Sequence, residues 1–153
     1  MYLIDVKFYD AADDKLLKFA VIISKYNGKF VFCKHKERDT YELPGGHREE
    51  NEDILTAAKR ELYEETGLKV KKILRILPPS FAAVTFSDTT TYIAFVEVEG
   101  TFSDNTSENE QIDAAFYSKS ELKELLQSNA PFSSRAQLAA YFFSESGFPR
   151  NSE

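Results

Sequence analysis

The chain predicts a mixed α/β layered domain, and three observations carry that reading. Its elements run in the order strands, helix, strands, helices. The stretch from Asn51 to Gly67 repeats apolar residues at helical spacing, with a capping signal before it and a glycine after it. On either side lie short apolar or β-branched runs, Phe19-Ala20-Val21-Ile22-Ile23 and Thr89 to Val98, of the length of buried strands.

The elements follow in order. Residues 2–9 alternate roughly as a strand does. Phe19 to Ile23 is apolar throughout, which predicts a buried strand. Asn27-Gly28 is a hairpin turn signal, and Lys29 to His35 is the expected partner strand. Pro44-Gly45-Gly46 should break regular structure and begin a loop. A helix starts near Asn51 to Asp53, either of which could cap it, with acids in its first turn to suit the helix dipole. It ends at Gly67, where a left-handed C-cap is needed. Lys69 to Leu77 reads as a strand stopped by Pro78-Pro79, and Thr89 to Val98 as another, paired with residues 81–86. A polar, acidic surface loop spans Gly100 to Gln111, followed by a short strand, Ile112 to Tyr117. Ser120 is expected to cap a helix over Glu121 to Gln127. Ser133 or Ser134 opens a last helix with Leu138, Tyr141 and Phe142 on one face.

Composition narrows the function classes. The 153 residues suffice for one domain with a sizeable core, expected to span 1–153. There is no repeat, low-complexity segment or linker to suggest a second. A net charge of −6 and a pI near 5.1 advertise no basic surface for a nucleic-acid polymer. The lone cysteine, Cys33, follows Phe30-Val31-Phe32, where a buried inert thiol is expected. No apolar stretch approaches a membrane span, and the N-terminus lacks the pattern of a signal peptide. A reducing compartment, most simply the cytoplasm, is the expectation. Two histidines, His35 and His47, make a zinc site a poor fit, and His47 reads as an exposed loop residue.

The chemistry concentrates in residues 46–68, GHREENEDILTAAKRELYEETGL. Glu61, Glu64 and Glu65 span roughly 100° of a helix surface. They continue a stripe that begins as packing surface with Ile54, Ala58 and Leu62. Like charges four apart destabilise a helix by a few tenths of a kcal/mol, so the cluster is costly to carry. Charge runs are usually solvated faces, but oxygen-rich clusters of this kind suit hard cations such as Mg²⁺. Arg60 precedes Glu64 by four and can orient it, or can form an ordinary surface ion pair.

This stretch resembles the Nudix box, G-x5-E-x7-R-E-U-x-E-E-x-G-U with U aliphatic, and every fixed position is matched from Gly46 to Leu68. Tyr41-Glu42-Leu43-Pro44-Gly45 resembles the family's approach to the box. The resemblance implies an α/β/α sandwich around a mixed β-sheet. It implies hydrolysis of a nucleoside diphosphate linked to another group, with Mg²⁺, or Mn²⁺, as cofactor. It carries the metal-binding role to Glu61, Glu64 and Glu65 and to the backbone carbonyl of Gly45. A backbone ligand would explain that glycine, because the chain must approach the metal closely. Arg60 joins the catalytic set. Glu52 reads as tying loop to helix rather than as a ligand.

The general base stays open between Glu61 in the box and Glu108 or Glu110, because Glu108-Asn109-Glu110-Gln111-Ile112 resembles a late-loop motif of ADP-ribose pyrophosphatases. Glu97 and Glu99 are rivals by position, though strand alternation puts both on one face. His35-Lys36-Glu37-Arg38 followed by Tyr41-Glu42 resembles nucleoside-triphosphate pyrophosphatases of the 8-oxo-dGTP-cleaning sort. That makes a nucleoside triphosphate the expected substrate, with ADP-ribose or a sugar nucleotide as the alternative. Phe81 and Phe86 could stack on a base, but among 13 phenylalanines and 8 tyrosines core packing is the ordinary role. A non-catalytic nucleotide sensor is the reading from a different class, and turnover with Mg²⁺ separates it from an enzyme. The expected partner is a small-molecule nucleotide, with no polymer or membrane, and the chain is expected to be a monomer or homodimer.

Overall fold

The computed structural model describes residues 13–83, 85, 87–102 and 112–146. The strand expected over residues 2–9 lies outside the described residues, as do Phe86, Glu108 and Glu110.

Among the described residues, eight strands form one mixed sheet. They are β1 (Leu17–Tyr26), β2 (Lys29–His35), β3 (Thr40–Glu42), β4 (Gly45–His47), β5 (Lys69–Ile76), β6 (Ser80–Phe81), β7 (Thr90–Glu99) and β8 (Ile112–Tyr117). The helices are α1 (Ile54–Thr66), α2 (Lys119–Gln127) and α3 (Ser134–Glu145). The central path runs β3-β2-β1-β7-β5, with β1 and β7 parallel and every other pairing antiparallel. Asn27 and Gly28 turn β1 into β2 with φ of 47° and 76°, the left-handed pair that a tight two-residue hairpin requires.

β1 and β2 pair only next to that turn, at Lys25↔Phe30 and Tyr26↔Lys29. Beyond it they part. β3 pairs with β2, through Cys33↔Glu42, while β4 pairs with β1, through Ala20↔Gly46. The segment from Thr40 to His47 is thus a wedge between two splayed strands, with Pro44 fully buried inside it. The break expected at Pro44-Gly45-Gly46 is therefore partly corrected. Proline does interrupt the chain, but the glycines resume strand pairing, because open hydrogen-bonding positions on β1 are there to receive them.

Strand alternation divides the core in two. Ala20, Ile22, Val31, Tyr92, Ala94, Val96 and Val98 face α1 and pack on Ile54, Ala57, Ala58 and Leu62. Val21, Ile23, Phe30, Phe32 and Phe95 face the other way, onto Leu122 of α2 and Ala136, Ala139, Ala140 and Phe143 of α3. The result is the expected three-layer α/β/α arrangement. Each fully buried Leu, Ile or Phe contributes about 1.5–3 kcal/mol to it.

At the helices two expectations are corrected, the acids in the first turn of α1 and the start of α2, while Asp53 is one of the two caps expected. The N-cap of α1 is Asp53, whose carboxylate accepts from Thr56 N, and no acid sits in the first turn. Asn51 instead adopts a positive φ of 68° in the preceding turn. α2 begins two residues earlier than expected, capped by Ser118. Ser118 Oγ accepts from Glu121 N while the Glu121 carboxylate accepts from Ser118 N, a reciprocal pair that Ser120 cannot form. On α3, Leu138, Tyr141 and Phe142 do share a face, but it is the outer one, 71, 61 and 44% exposed. The face toward the sheet is built from alanines, which let the helix lie close enough for Phe143 to stack on Phe30 at 4.3 Å.

Candidate active site

α1 places its acidic flank over the wedge. Its first free amide, Ile54 N, donates to Asp14 Oδ1 at 3.0 Å. Asp14 also takes Arg48 Nη1 at 2.6 Å, so the segment before β1 and the box loop hold the start of the helix together. The far end closes at Gly67 with φ of 78°, as its position predicted.

Arg60 is the hub of the flank. Its Nη2 donates to Glu52 Oε1 at 2.7 Å and its Nε to Glu52 Oε2 at 3.2 Å. Its Nη1 reaches Glu61 Oε1 at 2.8 Å and Glu64 Oε2 at 3.0 Å. The remaining direction goes to the carbonyl of His47 at 3.1 Å. Three carboxylates around one guanidinium hold its proton more firmly than usual. Glu52 is held below the usual carboxylate range, chiefly by Arg60 and then by the Glu49 N–H it also accepts. Glu52 therefore ties loop to helix, and Arg60 orients Glu64 and, beyond the sequence reading, Glu61.

The two glycines have separate reasons. A Cβ at Gly46 would overlap the carboxylate of Glu61, so that side chain occupies the room which glycine leaves. A Cβ at Gly45 would overlap the carbonyl oxygen of Ala20. The demand at Gly45 thus comes from the neighbouring strand, a closer cause than approach to a metal.

Glu65 turns inward. Cys33 Sγ donates to its Oε2 at 3.7 Å. Burial, then the nearby Glu65 charge, push the Cys33 thiol well up, and its burial is as expected.

Among the described residues no three His, Cys, Asp or Glu side chains converge as a metal shell. Glu61 and Glu64 are drawn to Arg60, and Glu65 makes its contact with Cys33. The donor set nonetheless fits a hard divalent cation. It consists of carboxylate oxygens on one helix flank, beside a strand whose Gly46 leaves a cradle that a Cβ would fill.

The other acids separate clearly. Glu97 shares the strand face of Phe95, away from α1, and pairs with Lys71 at 3.2 Å. Glu99 follows it by two on the same face. Neither is placed to serve the α1 flank. His47 is exposed, as expected, though on β4 rather than in a loop, and its ring meets Phe19 edge-on at 4.9 Å. His35 is buried, its Nδ1 accepting from Glu37 N at 3.2 Å. The sequence reading passed over Asp14 and Arg48. The only signal they offered was a charged pair of opposite sign some thirty residues apart.

No helix among the described residues is long and apolar enough to cross a membrane. A putative 8-oxo-dGTP diphosphatase, YtkD, of Bacillus subtilis (strain 168) is 36% identical, over 46% of this chain and 44% of its own. An RNA pyrophosphohydrolase of Bartonella henselae is 34% identical, over 36% of this chain and 37% of its own. An 8-oxo-dGTP diphosphatase of Buchnera aphidicola subsp. Schizaphis graminum is 42% identical, over 32% of this chain and 40% of its own. The chain thus covers less than half the length of these curated relatives. The family model described as NUDIX domain matches residues 15–137, most of the chain and every residue of the α1 flank above, and with that match the chain belongs to the NUDIX domain family.

Proposed function

We propose that this protein is a Mg²⁺-dependent hydrolase, with Mn²⁺ able to replace Mg²⁺, that cleaves a diphosphate bond in a nucleoside triphosphate of the 8-oxo-dGTP kind. The observation that carries the reading is the acidic flank of α1 lying against Gly46, with Arg60 at its centre. Two relatives carry the name 8-oxo-dGTP diphosphatase, which supports the choice of substrate. The partner is a small-molecule nucleotide, and the protein works as a monomer or homodimer in the cytoplasm.

Bound metal supplies a nucleophilic water at neutral pH and offsets charge on the diphosphate oxygens. Glu61, Glu64, Glu65 and the carbonyl of Gly45 are the groups that would hold it. Arg60 fixes the directions of Glu61 and Glu64, and Glu52 in turn fixes Arg60. One P–O bond forms to the water oxygen and the bridging P–O bond breaks, releasing a nucleoside monophosphate and diphosphate. The water's proton passes to a carboxylate, for which Glu61 is the described candidate and Glu108 the late-loop one.

The test is product release across nucleoside triphosphates (oxidised ones included), ADP-ribose, NADH, sugar nucleotides and dinucleoside polyphosphates, each with Mg²⁺ and with EDTA. Turnover of triphosphates that stops in EDTA supports the reading. An ADP-ribose hit would replace the substrate and promote Glu108. Metal-dependent binding without turnover would make the protein a sensor. Glu64→Gln and Glu65→Gln should each lower kcat by several orders of magnitude with unchanged circular dichroism, and near-full activity in either would sink the metal assignment.

A further inference from the structure

Charge is unevenly spread over this acidic chain. β5 carries Lys69, Lys71, Lys72 and Arg75 and no acid. Beside its first residues α1 presents Lys59 and Tyr63, one turn apart and therefore neighbours on the helix surface. Lys59, Tyr63, Leu68, Lys69 and Val70 together line an open cleft of about 420 Å³ where α1 turns into β5. That is the size of a small-molecule site, roughly 300–1,000 Å³. No carboxylate lines it. Among the described residues neither Lys59 nor Lys69 has an ion-pair partner, whereas Lys71 is paired with Glu97 at 3.2 Å. Lys69 Nζ lies 5.7 Å from the centre of the Tyr63 ring, a side chain 50% exposed. The cleft stands apart from the acidic flank. Helix positions two apart lie roughly 200° apart around the axis, so Lys59 is turned away from Glu61, and Tyr63 from Glu65.

We propose that this cleft is a second binding site, for a nucleoside monophosphate, with the phosphate held by Lys59 and Lys69 and the base laid against Tyr63. It does not depend on the hydrolase reading. Two ammonium groups meet in one cleft whose walls hold nothing to neutralise them, and a phosphate monoester carries about −1.5 to −2 charges. Lysine binds phosphate as a point charge on a flexible stem, so neither side chain needs a fixed direction beforehand. Tyr63 and Val70 add apolar surface that a bare inorganic anion could not use. Drawn to the phosphate, Lys69 would leave its place over the ring to the base. Every base has a face to stack, so the site would read ring and phosphate together and not the identity of the base.

The experiment titrates the full chain in EDTA, where binding that needs a metal at the acidic flank is absent. The probes are AMP, GMP, ribose 5-phosphate, adenosine and inorganic phosphate, followed by calorimetry and by amide chemical shifts. AMP and GMP should bind within about twofold of each other, and ribose 5-phosphate about tenfold more weakly for want of a stacked base. Adenosine and inorganic phosphate should be weaker than AMP by at least as much. The shifts should centre on residues 59, 63 and 68–70. Lys59→Gln and Lys69→Gln should each weaken AMP about tenfold, the worth of one hydrogen bond to a charged group. Tyr63→Leu should bring AMP down to the level of ribose 5-phosphate, and Tyr63→Phe should restore it. No saturable binding at millimolar AMP would overturn the proposal, as would shifts gathered around Gly46 and Glu61. Inorganic phosphate binding as tightly as AMP would overturn the nucleotide assignment. If Tyr63→Leu melts well below wild type, the two lysine variants decide, and unchanged AMP affinity in both overturns the site.

Discussion

Arg60→Ala should destabilise the fold by about 3 kcal/mol at neutral pH. Removing one member of a shielded charge cluster typically costs 3–5 kcal/mol, because the partners are left as uncompensated charges. Arg60, Glu52 and Glu61 have side chains 20, 13 and 14% exposed, which places them near the lower end of that range. Glu64 is half exposed and adds roughly 0.3–0.5 kcal/mol as a helical pair. For a chain of this size the loss amounts to about 6–12 °C in melting temperature. The pH dependence supplies the sharper check. Arg60 depresses the folded-state pKa of Glu52. The stabilisation is therefore complete above the unfolded value and is lost as pH falls through the lower, folded one. The gap between wild type and Arg60→Ala should be full at neutral pH and close below about pH 4.3, the ordinary glutamate value. Urea unfolding followed by far-ultraviolet circular dichroism measures it, since the chain has no tryptophan. A neutral-pH gap under about 0.5 kcal/mol, the size of an ordinary surface substitution, would refute the hub reasoning. So would a gap that does not change with pH.

Two other outcomes follow from the same geometry. Gly46→Ala pushes a methyl into the Glu61 carboxylate, so that side chain must turn away. Activity and Mn²⁺ binding should fall together while the melting temperature drops by only a few degrees, and wild-type Mn²⁺ affinity would contradict the role given to Gly46. Cys33, 2% exposed and donating to Glu65, should resist thiol reagents in the native protein and react fully in urea; rapid native labelling would show that the wedge opens.

Much of the fold was legible because it is written in short-range patterns. Asn27-Gly28 names its turn, Gly67 its left-handed cap, and Ile112 to Tyr117 its strand, each from local sterics. The misread start of α2 was also a local question. Ser118 and Ser120 are chemically alike, and only the position of Glu121 relative to each decides which one closes a reciprocal cap. The exposed Leu138, Tyr141 and Phe142 were a different matter. Apolar character marks a face of α3, but alanines pack closer to a sheet, and close packing decided which face went inward.

For the site, the sequence by itself determined which residues share a helix flank, since helix geometry places Glu61, Glu64 and Glu65 together whatever surrounds them. It also determined that Arg60 reaches Glu64, four positions on. It could not determine what that flank faces. Only the tertiary structure brings Gly46 under Glu61, Cys33 against Glu65, Glu52 onto Arg60, and Phe19 between His47 and Arg135. Those contacts depend on where β1 and β2 part and how the wedge from Thr40 to His47 fills the gap. Backbone hydrogen bonding between distant segments settles that, and no local pattern encodes it.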